Sequence, residues 1–274
     1  MDSKNFYDAL YDPTGTNYGG FNEAEPSSIS RRELMLRDRT ISYWKKFCNP
    51  DQLAIEIGAS TGGLSTLFGN WIGLEYSAVA VGLAKKRFGD NINIVQSDAQ
   101  SLDVESELAD FIYSWATLEH VENPDLAFRE IHRVLKPGAV ACLKPAWNCR
   151  ESCVLKLKFR EYADLSVWLK IRKFLLPLSN NFWIRAAFMI PARLSKLLIN
   201  LNGNQLDLRF KRLIPSEGLI AKYGHEPDDD AFSCFDIVDA VLFFQSRGYE
   251  IISHPTFIKK LFARGSTLVV RKPL

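Results

Sequence analysis

The chain has no excess of charge of either sign: 34 lysines and arginines stand against 32 acids in 274 residues. A dedicated nucleic-acid binder is basic as a whole, so this balance argues against that class. No charge-free apolar run reaches membrane-spanning length, and the N-terminus opens on charged and polar residues without an apolar signal core. The expected location is therefore the cytoplasm. Cysteine is sparse, and Cys48, Cys142, Cys149, Cys153 and Cys234 are scattered and odd in number. That suits reduced thiols better than a disulfide framework. Cys149 and Cys153 have no second pair to complete a zinc site, so no metal is expected there. Internal repeats and low-complexity tracts are also missing. What remains has the apolar and charged content of an ordinary folded protein, enough for one core with a modest insertion.

Strand and helix signals alternate through most of the chain. Leu53–Ile57 is strand-like and runs into the small-residue turn Gly58-Ala-Ser-Thr-Gly-Gly63, with a short helical pattern from Leu64 to Phe68. Trp71–Glu75, Asn91–Val95, Ala109–Tyr113 and Ala139–Leu143 read as further strands. Between them, Ala78–Phe88 reads as a helix capped by Ser77, with Lys85, Lys86 and Arg87 in its last turn. Asn123 as N-cap and Pro124 at the first helical position start the next helix, and Lys136-Pro137-Gly138 stops it. Near the end, Asp236–Arg247 reads as a helix, with strands at Tyr249–Ser253 and Ser266–Arg271. Repeated βαβ units predict an α/β fold, a mostly parallel sheet with helices on both faces. Upstream, Ser30 with Glu33 forms a capping box for a helix to Phe47 carrying Leu34, Ile41, Trp44 and Phe47. Tyr7, Tyr11, Tyr18 and Phe21 are aromatic anchors among loop-type residues, and two readings stand: a flap over a site, or a terminus pinned to the domain. The expected layout is one domain: flap and helix over 1–50, cofactor core over 51–145, helical insertion over 146–234, and a sheet-completing end over 235–274.

Open parallel sheets bind ligands at the carboxyl ends of their strands. Three acids fall there: Glu56, Glu75 and Asp98. Glycine lets a ligand approach the Gly58–Gly62 backbone closely. Glu75 is placed to accept from both ribose hydroxyls of an adenosine, and Asp98 with Ala99 and Gln100 to reach the adenine edge. A dinucleotide loop would need glycine at position 60, which is Ser60. Candidate cofactor contacts are thus Glu56, Gly58, Ala59, Ser60, Gly62, Glu75, Tyr76, Asp98, Ala99, Gln100, Ser114 and Trp115.

These motifs, in this order, resemble the class I S-adenosylmethionine-dependent methyltransferases, and most of all their methyltransferase type 11 group. The family's acid-x-Gly-x-Gly-x-Gly loop stands here as Glu56-Ile-Gly58-Ala-Ser60-Thr-Gly62, with serine in the middle position. Leu118-Glu-His-Val121 and the later Arg133-Val-Leu-Lys-Pro-Gly138 match the family's downstream stretch. The resemblance implies a seven-stranded Rossmann-like sheet, S-adenosyl-L-methionine as cofactor, and in-line methyl transfer governed by positioning. An aromatic face such as Trp115 would favour the sulfonium charge. His120 is the candidate general base, since it titrates near neutrality; the alternative is that Glu119 and His120 only hold a turn. Ubiquinone-biosynthesis O-methyltransferases carry Glu-x-x-Glu-His at this stretch, which implies a divalent cation. Here the first Glu is Ala116, and no metal is expected. His225 with Asp228-Asp-Asp230 offers cation ligands but reads as an acidic capping loop.

From Leu165 to Leu201 there are six basic residues and no acidic one, interleaved with Trp168, Phe174, Phe182, Trp183 and Phe188. Three readings stand: a helical lid or homodimer face, a peripheral membrane contact, or a nucleic-acid surface. The expected function is O-methylation of a small-molecule, glycan-precursor or lipid-linked acceptor. The alternatives are a quinone-type or RNA methyltransferase and a non-catalytic S-adenosylmethionine-binding regulatory module.

Overall fold

The computed structural model describes residues 3–11, 40, 42–199 and 204–274. The expected anchors Tyr18 and Phe21, the Ser30–Glu33 capping box, Leu34 and Ile41 lie outside these residues. A terminal helix α1 (Ser3–Tyr11) and a short helix α2 (42–47) precede the sheet. The core then runs β1 (Ala54–Ile57), β2 (Trp71–Glu75), α3 (Ala78–Phe88), β3 (Ile94–Gln96), β4 (Ala109–Trp115), α4 (Pro124–Val134) and β5 (Leu135–Lys144). The insertion carries α5 (Glu151–Val154), α6 (Val167–Phe174), α7 (Leu176–Asn180), α8 (Phe182–Ile199), β6 (Lys211–Arg212), α9 (Glu217–Tyr223) and β7 (Ser233–Cys234). Helix α10 (Ile237–Gln245), β8 (Glu250–Ile251), α11 (Phe257–Leu261) and β9 (Leu268–Arg271) complete the chain.

Seven strands form one sheet in the order β3-β2-β1-β4-β5-β9-β8. The first five are parallel, and β9 runs antiparallel to both of its neighbours. Alternation along each strand divides the core. Ile55 and Ile57 pack with Phe128 of α4 and Phe243 of α10 on one face. Ala54, Phe111 and Tyr113 pack with Trp44 of α2 and Ala84 of α3 on the other. Strand β1 is buried along its whole length, as expected for a central parallel strand covered on both sides. Its carboxyl end delivers the turn at Gly58 between the ends of β2 and β4.

Helix α4 starts where expected, with Asn123 at the N-cap and Pro124 at the first helical position, although the Asn123 side chain makes no capping hydrogen bond; its backbone amide donates to Gln100 Oε1 at 3.0 Å. The helix stops before Lys136-Pro137-Gly138 as expected, but β5 begins at Leu135 and not at Ala139, so it includes these residues. Leu135 pairs with Ala109, a bulge shifts the register before Phe111 meets Val140, and Gly138 takes φ +76° in that bulge.

The insertion is helical, with a two-stranded β6–β7 ribbon that the sequence pattern did not show. Its cations turn inward more than expected. Arg193, only 3% exposed, pairs with Asp236 and donates to the Leu261 and Ala263 carbonyls. Lys196 pairs with Asp239, and Arg172 with Glu151. A fully buried Lys156–Asp229 pair ties α5 to the loop that returns to the sheet. No helix among the described residues is long and apolar enough to cross a membrane.

Candidate active site at the carboxyl edge of the sheet

The turn after β1 is built from residues that accept left-handed backbone. Gly58 lies at φ +80° and Gly62 at φ +73°. Between them Ser60 lies at φ +50°, which explains why its position carries glycine in the resembling family. The Gly58 and Ala59 amides both donate to Leu74 O, at 2.8 and 3.1 Å, and so lock the turn to β2. Gly58 is also crowded from the β4 side: a Cβ there would sit 2.1 Å from Thr117 Oγ1.

Glu75 closes β2 and is buried, at 6% exposure. One carboxylate oxygen accepts from Ser60 N at 2.7 Å and the other from Ser77 N at 2.9 Å. Burial pushes its carboxyl above the usual range, and these backbone donors work against that shift. A carboxylate offers about four lone-pair directions, so beyond the Ser60, Ser77 and Tyr76 backbone donors acceptor capacity remains for the ribose. Asp98 accepts from Gln100 N at 2.9 Å, and Gln100 in turn reaches Asn123, so the third acid is joined to the start of α4. Gln96 donates to Tyr76 O at 3.2 Å, which ties the β2 and β3 ends together. The residues present fit the expected S-adenosylmethionine: a tight small-residue turn, a buried acid beyond β2, and a polar group beyond β3.

Two expected contacts are otherwise engaged. Ser114 is buried and spends its hydroxyl on Ile57 O at 3.0 Å. Trp115 stacks on Tyr113, and the Lys144 ammonium lies 5.8 Å from its ring centre. That ring already faces a cation. Glu56 and Ala99 are buried beneath the same edge.

His120 follows directly from the loop contact, because its amide donates to Thr117 O at 2.9 Å. Its Nδ1 stands 3.5 Å from an Asp230 carboxylate oxygen, and its Nε2 stands 3.8 Å from Glu119. Burial alone would lower its pKa, but the carboxylates of Asp230 and Glu119 outweigh that and raise it. Glu119, 2% exposed, is itself raised by burial. The returning end of the insertion docks here: Phe232 N donates to Glu119 O at 3.0 Å and Ser233 Oγ at 3.2 Å. Asp230 therefore belongs to the site. The sequence pattern reads it instead as part of an acidic capping loop.

Helix α1 supplies three residues to the site: Tyr7 and Tyr11, which the sequence marks as flap anchors, and Asp8, which it does not mark. Tyr11 OH donates to Ser60 Oγ at 3.0 Å, and Asp8 accepts from Ser77 Oγ at 2.6 Å. Tyr7 meets the His120 ring edge-on at 5.7 Å. The helix thus spans from the glycine turn to the histidine. The aromatic content of the first 30 residues was the available signal for such a flap. His225, Asp229 and Asp230 bring ligand-type atoms within 4.8 Å of one another. The Lys156 ammonium and His225 already engage Asp229, so this is an ion-pair cluster.

Residues 55–143 match the family model described as a methyltransferase domain. Among curated relatives, the chain is 31% identical over 113 residues to the ubiquinone/menaquinone biosynthesis C-methyltransferase UbiE of Pectobacterium atrosepticum, covering 35% of this chain and 45% of that one. It is 35% identical over 79 residues to the demethylmenaquinone methyltransferase of Staphylococcus carnosus, covering 28% and 33%. The matched stretch spans less than half the length of these relatives. Solved structures with similarity include a SAM-dependent methyltransferase, possible histamine N-methyltransferase, from Thermotoga maritima. It is 24% identical over 42% of this chain and 56% of that chain, with a TM-score of 0.35. Another is a SAM dependent methyltransferase from Aquifex aeolicus, 20% identical over 47% and 76%, with a TM-score of 0.37.

Proposed function

We propose that this chain, whose residues 55–143 are a class I S-adenosylmethionine-dependent methyltransferase domain of the type 11 group, methylates a hydroxyl oxygen of a small-molecule, glycan-precursor or lipid-linked acceptor. When bound, the cofactor supplies a methyl group activated by its sulfonium charge. Gly58, Ala59, Ser60 and Gly62 allow close approach of its amino-acid end, Glu75 takes the ribose hydroxyls, and Asp98 with Gln100 takes the adenine edge. One observation carries the choice of a hydroxyl acceptor. A histidine held by a carboxylate stands one hydrogen bond from the residue that packs on the glycine turn. His120 takes the acceptor's proton, and Asp230 keeps the ring oriented and stabilises the imidazolium. The insertion leaves β5 at the same edge of the sheet and selects the acceptor.

A second reading, methylation at carbon of a quinol-type ring, is favoured by the printed names of the curated relatives. Calorimetry with S-adenosylmethionine tests the shared premise, and a pure protein that does not bind it sinks both readings. Transfer of an isotope-labelled methyl to cell extracts, followed by mass spectrometry and NMR of the labelled product, separates them. A methyl on oxygen supports the first, and a methyl on ring carbon replaces it with the second.

A further inference from the structure

The insertion and α11 leave many large apolar side chains in solvent. Trp168 is 67% exposed, Phe174 74%, Trp183 77%, Phe188 78% and Ile258 68%. Isolated exposed apolar residues are ordinary, but a contiguous set marks an interaction surface. The elements that carry these are neighbours: α6 packs on α7, α7 on α8, and α8 on α11. Arg193 bolts α8 to the α11 carbonyls, and the Arg264 guanidinium lies 4.4 Å from the Phe182 ring centre.

Charge on this surface has one sign. Residues 165–201 hold six cations and no acid, and residues 251–274 hold five cations and no acid. Some of these are spent on the body of the protein, as Arg172, Arg193 and Lys196 show. Among the described residues, Lys170, Arg185, Lys259 and Arg264 meet no carboxylate. Arg185 instead has Arg150 as a like-charged neighbour.

We infer that α6–α8 and α11 form a docking face for an anionic lipid surface, with the protein bound peripherally. This goes beyond the proposed reaction and does not depend on it. The composition decides between occupants. In a twofold dimer the same patch would meet itself, and cations would face cations with no acid on either side. A nucleic acid would satisfy the cations and stack on the exposed rings, but it would leave the aliphatic Val167, Ile171, Leu178 and Ile258 in water. A bilayer interface uses all the parts at once. Tryptophan settles at headgroup depth, aliphatic side chains enter the acyl boundary, and cations meet lipid phosphates.

The test is co-sedimentation of the full chain with vesicles of phosphatidylglycerol mixed with phosphatidylcholine, compared with phosphatidylcholine alone. Binding is expected to the anionic vesicles, weakening as salt is added, with a blue shift of tryptophan emission. Each cation near such a surface is worth about fivefold in partitioning, so Lys259→Gln with Arg264→Gln lowers it roughly 25-fold. Trp168→Ser with Trp183→Ser, both at exposed positions, removes the blue shift while circular dichroism stays unchanged. No binding to either vesicle, or equal binding to both, overturns the inference. So does light scattering that shows a wild-type dimer which the tryptophan variant turns into a monomer without loss of vesicle binding.

Discussion

Replacing Gly58 by alanine tests the donor turn at its tightest point. Two costs can be worked out separately. At φ +80° a side chain brings a left-handed penalty of about 1–2 kcal/mol. The added Cβ would also lie 2.1 Å from Thr117 Oγ1, 2.5 Å from its Cγ2 and 2.8 Å from its Cβ. Rotating Thr117 cannot relieve this, because its Cβ does not move with χ1. Either the turn or the 116–118 segment must shift, an overpacking cost of about 1–3 kcal/mol. Together these come to about 2–5 kcal/mol, which for a chain of this size lowers Tm by roughly 5–15 °C. The shift also reaches His120, whose amide is hydrogen-bonded to Thr117 O. Urea unfolding and calorimetry with S-adenosylmethionine measure both effects. Adding Thr117→Gly removes the steric part and leaves the backbone part, so the double variant should recover about 1–3 kcal/mol relative to the additive expectation. A Gly58→Ala protein that unfolds at the wild-type urea midpoint and keeps its affinity would refute the account. So would a double variant with no recovery.

Other perturbations test the groups around the turn. Lys156→Met leaves the buried Asp229 carboxylate with His225 and the Glu226 amide but without its buried cation, and should cost about 3–5 kcal/mol in urea unfolding. Lys156→Met with Asp229→Leu should recover most of that loss, and equal loss in both would count against a pairing role. His120 has a folded pKa raised by Asp230 and Glu119, so its contribution to stability is complete below the ordinary histidine range and lost as pH rises through the raised value. A base must be neutral, so kcat/KM should climb through that same raised value. Asp230→Asn should move the inflection down, and an unmoved inflection removes Asp230 from the mechanism. Asp8→Ala deletes the acceptor for Ser77 Oγ, a hydrogen bond to a charged group worth about 1.5–3 kcal/mol. Stopped-flow release of S-adenosylmethionine should then be at least about tenfold faster, and an unchanged rate would show that α1 does not retain the cofactor.

What could be read from the chain alone divides along the range of the interactions. Helix α3 runs over Ala78–Phe88 as its pattern predicts, because Ser77 caps it by accepting from Ala80, three residues away. The glycine turn and Glu75 were legible for the same reason: strand, turn, acid and cap lie within two dozen residues. Asn123 and Pro124 carried the same kind of local cue, and α4 does start at Pro124. What the cue did not show is that the Asn123 amide meets Gln100, 23 residues upstream, while its side chain makes no capping bond. Lys136-Pro137-Gly138 read as a stop, and only the pairing of Leu135 with Ala109 reveals it as a bulged strand. The acceptor side of the site is wholly of this second kind. Asp230 reaches His120 across 110 residues and Tyr7 reaches Asp230 across 223, so no window of sequence contains them together. The half of the site that holds the donor is written in one local motif. The half that, in the proposed reading, takes the acceptor's proton is assembled by folding the insertion and the terminal helix onto His120. On the proposed reading that division puts acceptor choice in the insertion and its Asp230 contact with His120, where substitutions should change which molecule is methylated while leaving donor affinity in place.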